Sequence, residues 1–285
     1  MISRSTINKI LISLVAIGWV FQAQSQDLEL NQTIFRSQID PQSSGQGFGE
    51  AVAASGQWAV IGAPFLEGNT GSAYLFQFNG SSWNFVKVLE TPPDAFSRIG
   101  DDVAIQGDWI AVAMSRFVAV YHRNTGGPDN WGFHSTLGLE NDANFSSRFI
   151  DNSVSIAGNT MAIGAPETNT DMNAVGSVLI YTLSGTSWAF SDQINVPAAD
   201  LIEGAKFGAR VDLDSSTLAI GSPSYNTDGL NASGKAWVYE RSGQGGSFQR
   251  TGTLTSDMPN DNGNFGSEVA IGNGFIIVGS TGGAG

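Results

Sequence analysis

The side chains of this chain that could do chemistry are almost all carboxylates. Glu167-x-Asn169-x-Asp171 and Asn226-x-Asp228-Gly229 set oxygen donors at alternate positions, the way calcium loops collect ligands. Asp212 and Asp214 are spaced alike. None of the three completes the roughly six to eight oxygens that calcium takes, so no metal ligands are assigned and calcium stays an open alternative. Histidine occurs twice, at His122 and His134, without an H-E-x-x-H spacing or a nucleophile motif. Cysteine is missing altogether, which excludes thiolate zinc sites, iron–sulfur clusters and cysteine nucleophiles. No catalytic residue and no cofactor is therefore expected. A carboxylate pair for glycoside hydrolysis would have to be assembled in space from separate loops, which spacing along the chain does not reveal.

The elements that must position these groups repeat. Phe48-Gly49, Ile99-Gly100, Phe149-Ile150, Phe207-Gly208 and Phe265-Gly266 recur at about 50–58 residues, a period that fits propeller blades. About 14 residues after each pair, an apolar run ends in a corner of small residues. These corners are Gly62-Ala63-Pro64, Ala113-Met114-Ser115, Gly164-Ala165-Pro166, Gly221-Ser222-Pro223 and Gly279-Ser280-Thr281. Within the first period, residues 48–54, 58–63, 72–78 and 83–89 alternate or run apolar between Gly, Asn and Ser turns, which predicts four strands. Strand three returns at 117–121, 177–181 and 235–239.

Strand four opens on an aromatic residue each time, at Trp83, Trp131, Trp188 and Phe248, with Leu89, Leu137, Ile194 and Leu254 six residues on. An even offset places both on one face of a regular strand. Core packing between neighbouring sheets accounts for the tryptophans better than carbohydrate stacking, because their period is the period of the fold. The fold class is all-β, a propeller of four-stranded antiparallel blades with four full repeats and half a fifth. Residues 32–39 are expected to supply an outer strand that closes the ring. A sheet left at two strands leads to the expectation that the sequence is a portion of a longer protein.

The motif residues themselves resemble the FG-GAP repeat family, which includes the integrin α-chain propeller and many secreted bacterial proteins. The resemblance runs over about residues 32–285, with the second copy (Ile99-Gly100, Ala113-Met114-Ser115) and the third (Phe149-Ile150) degenerate. It implies a propeller scaffold. Its integrin branch carries a D-x-D-x-D-G-x-x-D calcium loop between FG and GAP. Here that link is a minimal hairpin in every copy, as at Ser55-Gly56-Gln57 and Asp214-Ser215-Ser216, so the integrin-type calcium site is not carried over.

Strand order sorts the loops onto two faces. The loops between strands two and three, and between one repeat and the next, share a face that collects half of the carboxylates. Glu67, Asp94, Asp142, Glu167, Asp171, Asp200, Asp228 and Asp261 are the candidate ligand-binding residues there. Longer loops on a rigid scaffold are where binding concentrates, and in integrin-like relatives this face binds ligand. The competing reading is that solvated carboxylates keep an exported protein soluble. The opposite face carries little besides Asp108, Asp129 and Asp214.

Residues 1–25 read as a secretory signal peptide. Arg4 and Lys9 precede an apolar run over 10–21, and Ala23-Gln24-Ser25 suits cleavage. Residues 26–47 are then an N-terminal segment, and 48–285 the repeats. The expected location is secreted, periplasmic or cell-surface, with no membrane span once the signal is removed. With 26 acidic against 13 basic residues the chain is unsuited to neutralising phosphates, so nucleic acid is excluded as a partner. These features point to a non-enzymatic module for extracellular recognition or adhesion, its partner a protein or polysaccharide. The alternative is the propeller module of a larger secreted enzyme.

Overall fold

The computed structural model describes residues 32–34, 47–66, 68–93, 95, 97–138, 153–167, 175–243 and 245–282. Residues 1–25, with the expected signal peptide, and most of 26–47 lie outside the described residues. The chain forms four four-stranded antiparallel meanders and a fifth, two-stranded sheet. The first sheet is β1 (Val52–Ser55), β2 (Trp58–Ala63), β3 (Ser72–Phe78) and β4 (Trp83–Val88). The second is β5 (Val103–Gln106), β6 (Trp109–Ala113), β7 (Phe117–His122) and β8 (Gly132–Gly138). The third is β9 (Val154–Ala157), β10 (Thr160–Ala165), β11 (Ser177–Ser184) and β12 (Ser187–Asn195). The fourth is β13 (Arg210–Leu213), β14 (Thr217–Ser222), β15 (Lys235–Glu240) and β16 (Gln249–Leu254), and the fifth is β17 (Phe265–Gly272) and β18 (Phe275–Ser280). Consecutive sheets pack through their first strands, and β1, β5, β9, β13 and β17 all line one cavity of about 450 Å³. The fold is a β-propeller, its blades fanned about that channel.

The repeat motifs are the contacts between blades. Across three of the interfaces, a Cβ on the GAP glycine would collide with the backbone of the next FG glycine: Gly62 with Gly100, Gly164 with Gly208, Gly221 with Gly266. FG glycines also donate their amides to the corner of their own blade: Gly49 to Gly62 O at 2.9 Å, Gly100 to Ala113 O at 2.9 Å and Gly208 to Gly221 O at 3.1 Å. A second close approach, unforeseen in sequence, sets Gly71, Gly176 and Gly234 in bridges to Ile99, Phe207 and Phe265. The degenerate second corner has Ala113 in the glycine position, and the residue expected to face it, Ile150, lies outside the described residues.

Two expectations need correcting. Phe48-Gly49 is not in a strand: residues 47–50 form a turn and pairing begins at Val52, because Gly49 takes φ +87°, outside the extended region. The fourth strands are not regular either. Each carries a β-bulge at the same place, where Val86, His134, Ser191 and Thr251 fall out of register with strand three. One extra residue reverses the alternation. Trp131 therefore packs toward the first blade while Leu137 packs toward the third, and Trp188 and Ile194 divide likewise between the second and fourth. Trp58, Trp109, Trp131, Trp188 and Trp237 are buried in the core, whereas Trp83 of the first blade is only half-buried.

The first strand of each blade is an edge, and its amides need acceptors. Side chains of the preceding blade supply them. Asp102 Oδ2 accepts Val154 N–H at 2.8 Å, Ser155 Oγ accepts Leu213 N–H at 3.2 Å, and Asp212 Oδ2 accepts Ile271 N–H at 2.7 Å.

Gln32–Ile34, the described part of the expected closing strand, lies on the first blade. Gln32 exchanges hydrogen bonds with the backbone of Trp83, at 2.9 and 2.7 Å, and Ile34 packs against the cluster of Leu66, Tyr74 and Phe76. Lys87 reaches Asn130 O of the next blade in the same manner, at 3.0 Å.

Candidate functional site

Four of the eight candidate carboxylates, Glu67, Asp94, Asp142 and Asp171, lie outside the described residues. The other four sit in loops of the expected face but in three different settings. Asp200 ends a 3-10 turn (Ala198–Asp200) and is almost fully covered. It accepts Lys235 Nζ at 2.7 Å and Arg250 Nη1 at 2.8 Å, with Trp237 Nε1 and Tyr225 Oη at longer range. Burial would raise its pKa, but the Lys235 hydrogen bond and charge, with Arg250 behind them, hold it below the usual carboxylate range. Lys235 also lies over the rings of Tyr225 and Trp237, at 4.7 and 5.0 Å. Asp200 is thus a fastener for the fourth blade.

Glu167 is half-buried and pairs with Lys206 Nζ at 3.7 Å. Asp261 accepts Asn231 N–H at 2.8 Å and remains exposed, and Asp228 is exposed in a tight turn with φ +53°. Asn226, its neighbour in the calcium-like spacing, spends its Oδ1 on Ala232 N–H at 2.8 Å, an ordinary loop closure. Asn169 lies outside the described residues, as Asp171 does. Among the described residues no three His, Asp or Glu converge on a point where a metal ion could sit.

Glu203 and Asp257 add to the exposed carboxylates of this face. Its bases are largely occupied: Arg98 by Asp101 at 2.9 Å, Lys206 by Glu167, Lys235 and Arg250 by Asp200. Asp228, Asp257, Asp261 and Glu203 keep the net negative charge of the surface.

The channel holds a second group of charges that the spacing alone did not single out. Glu50, Asp102, Arg210, Asp212 and Glu268 line it, with Arg210 Nε on Glu268 Oε1 at 3.2 Å. Burial pushes the Asp102 carboxyl up, opposed by the Val154 amide, Ser153 and the Arg210 charge. The signal for Asp102, Arg210 and Glu268 was a fixed offset. The position two beyond each FG glycine, occupied by Ala51, Asp102, Arg210 and Glu268, faces the channel and the next blade.

On the opposite face, Trp109 stands between His122 (4.5 Å between ring centroids), His134 (5.1 Å) and Trp188 (5.8 Å). Burial first, and His122 second, lower the His134 pKa. Ser135 Oγ lies 3.1 Å from His134 Nδ1, but the two are sequence neighbours at the bulge and neither lines the adjacent cavity of Gln106, Asp108 and His122. Asp108 and Asp129 both bind Arg123, and Asp214 caps its own turn through Ser216 and Thr217.

Residues 42–76, from ahead of the first FG turn into the third strand, match the family model described as FG-GAP repeat. No curated protein matches the chain. Among solved structures it is similar to the crystal structure of the N-terminal domain of Nup159, at 12% identity and a TM-score of 0.40, over 80% of this chain. It spans about half, 51%, of that chain. The chain is thus a β-propeller module in which residues 42–76 are similar to an FG-GAP repeat.

Proposed function

We propose that this is an exported, non-enzymatic propeller that binds a basic extracellular protein or a cationic polysaccharide through its acidic loop face. The observation that carries the reading is the division of charge on that face. Its described bases are tied to Asp101, Glu167 and Asp200, while Asp228, Asp257 and Asp261 stay solvent-facing. Exposed charge on loops held by a rigid scaffold steers an oppositely charged partner and is sensitive to salt. Export rests on residues 1–25; no helix among the described residues is long and apolar enough to cross a membrane. The non-enzymatic reading is supported by the packing of both histidines against Trp109 and by a sequence without a nucleophile motif.

The test is surface plasmon resonance of the mature chain over immobilised chitosan and a panel of basic extracellular proteins. The expected result is binding that weakens with salt and falls at least tenfold in Asp228→Asn/Asp257→Asn/Asp261→Asn. Binding unchanged in that variant, or no binding to any surface, overturns the proposal.

A further inference from the structure

Asparagine followed by glycine occurs three times, at Asn79-Gly80, Asn262-Gly263 and Asn273-Gly274. Such a pair can react with itself, because glycine carries no Cβ to keep its amide nitrogen from the asparagine side-chain carbonyl. Inside a fold the reaction asks for three things. The glycine N–H must not be held by another acceptor, and the side chain must be folded toward it. Hydrogen-bond donors must also surround the side-chain oxygen, where negative charge develops during attack. The three pairs differ in how many of these they have.

Asn79 has all three. It opens the loop between β3 and β4, and its Oδ1 accepts Ser81 N–H at 3.0 Å, Ser81 Oγ–H at 2.9 Å and Ser82 N–H at 3.0 Å. The bond to Ser81 N–H, two residues on, closes a ring over the Gly80 peptide and so folds the side chain onto it. The loop is closed by Asn79 N–H on Ser82 O at 3.1 Å, which leaves the Gly80 amide without an acceptor. A Cβ on Gly80 would meet nothing within 4 Å. Three donors about one carbonyl oxygen form the arrangement that stabilises an oxyanion.

The other two pairs fall short. The Gly263 amide donates to Asn260 O at 3.1 Å and Asn262 N–H to Asn231 O at 2.7 Å, so that turn holds the nitrogen that would attack. Asn273, in the turn between β17 and β18 with φ +51°, has no donor on its Oδ1 among the described residues. A purely structural cap makes similar bonds, as Asp214 does with Ser216 and Thr217. Asn79 differs in having a glycine with an unheld amide directly behind it.

We propose that Asn79 is a site of self-catalysed deamidation. The Gly80 nitrogen yields its proton to water or hydroxide and bonds to Asn79 Cγ, while Ser81 and Ser82 hold the charge on Oδ1. The Cγ–Nδ2 bond then breaks, and the nitrogen takes a proton from water and leaves as ammonia. Water opens the five-membered imide at either carbonyl, giving aspartate or isoaspartate. The balance is one water taken up and one ammonia lost. The isoaspartate form lengthens the main chain by one carbon and sets a negative charge among the hairpins, opposite the acidic loops.

The experiment incubates the mature chain at 37 °C and about pH 8, folded and in guanidinium chloride, with peptide mapping by mass spectrometry. A gain of about 1 Da marks each converted asparagine, and chromatography separates the isoaspartyl peptide. In the folded protein Asn79 is expected to convert roughly tenfold faster than Asn273 or Asn262. In denaturant the three rates should draw together, since only the sequence then acts. Ser81→Ala, with its fold checked by circular dichroism, removes one donor and should slow Asn79 at least about threefold in the folded protein. A folded-state rate at Asn79 no greater than at Asn273 overturns the proposal. So does a preference for Asn79 that persists unchanged in denaturant, or a Ser81→Ala variant that converts as fast as the wild type.

Discussion

Gly164→Ala isolates the contact between blades from every other role of glycine. Gly164 has no positive φ, so the change introduces no backbone strain. Its new Cβ would lie closer than 3.0 Å to the carbonyl of Gly208, and Val211 Cγ1 stands behind it at 3.5 Å. The colliding carbonyl is main chain and cannot rotate away. Restoring a C···O contact of about 3.3 Å requires the third and fourth blades to part by roughly 1 Å. That gap loosens the interface cluster around Phe207, Val211, Ile220 and Trp237. A gap of that size forfeits about a quarter to a half of each dispersion contact it opens, so the expected cost is about 3 kcal/mol. For a domain of this size that lowers the melting temperature by about 6–12 °C. Gly279→Ala is the control: it has the same place in the repeat and no facing blade, only Glu268 Cβ at 3.2 Å. It should change stability by no more than about 0.5 kcal/mol. Urea unfolding of both variants decides the matter, and equal losses would refute the assignment of these glycines to packing.

Other consequences follow from individual side chains. Asp200→Asn should cost about 1–3 kcal/mol, because the largely covered Lys235 ammonium loses its charged acceptor while the more exposed Arg250 turns to solvent. Denaturant titration at pH 7 measures that loss. Since the folded pKa of Asp200 is depressed, its stabilisation is complete above the unfolded value near 4 and is lost as pH falls through the folded value. The gap between wild type and Asp200→Asn should therefore narrow in acid, and a gap that stays constant to pH 2 would contradict the pairing. His134 has its pKa lowered, so its neutral form stabilises the fold above about pH 6.5 and that contribution fades on acidification. Its imidazole resonances should titrate below that value in NMR. Arg241 is buried between the third and fourth blades, with Nη1 on Thr160 Oγ1 at 3.0 Å and its guanidinium over Phe248. Arg241→Ala should cost about 2–4 kcal/mol by leaving a cavity and removing the hydrogen bonds to Thr160 and Ser215, read by thermal melting.

Much of the scaffold was readable because its signals are local. Alternation, Gly and Asn turns and the period of Phe-Gly marked the strands 58–63 and 72–78 to the residue. The bulges were not readable. Val86, His134, Ser191 and Thr251 share no residue type, since the extra residue of such a bulge sits in a region open to any side chain. Without them the aromatic and the aliphatic residue of strand four fall on one face, and the alternating burial across blades is lost. The candidate site was legible at a coarser level. Glu167, Asp200, Asp228 and Asp261 lie in the loops between strands two and three or between successive blades, as the strand order implies. Whether a carboxylate is free or fastened depends on partners far along the chain, such as Lys235 and Arg250 for Asp200.

The account rests on blades joined in sequence order through their inner strands, and amide hydrogen exchange tests that joint directly. The amides of Val154 and Ile271 find their acceptors on the preceding blade, at Asp102 and Asp212, and Leu213 N–H is shared between Ser155 Oγ of the preceding blade and Asp212 Oδ1 of its own strand. The fan predicts slow exchange at all three, with Ile271 losing its protection in Asp212→Ala while Val154 keeps its own. Exchange at Val154 and Ile271 as fast as in the exposed turns, or protection of Ile271 that survives Asp212→Ala, would contradict it.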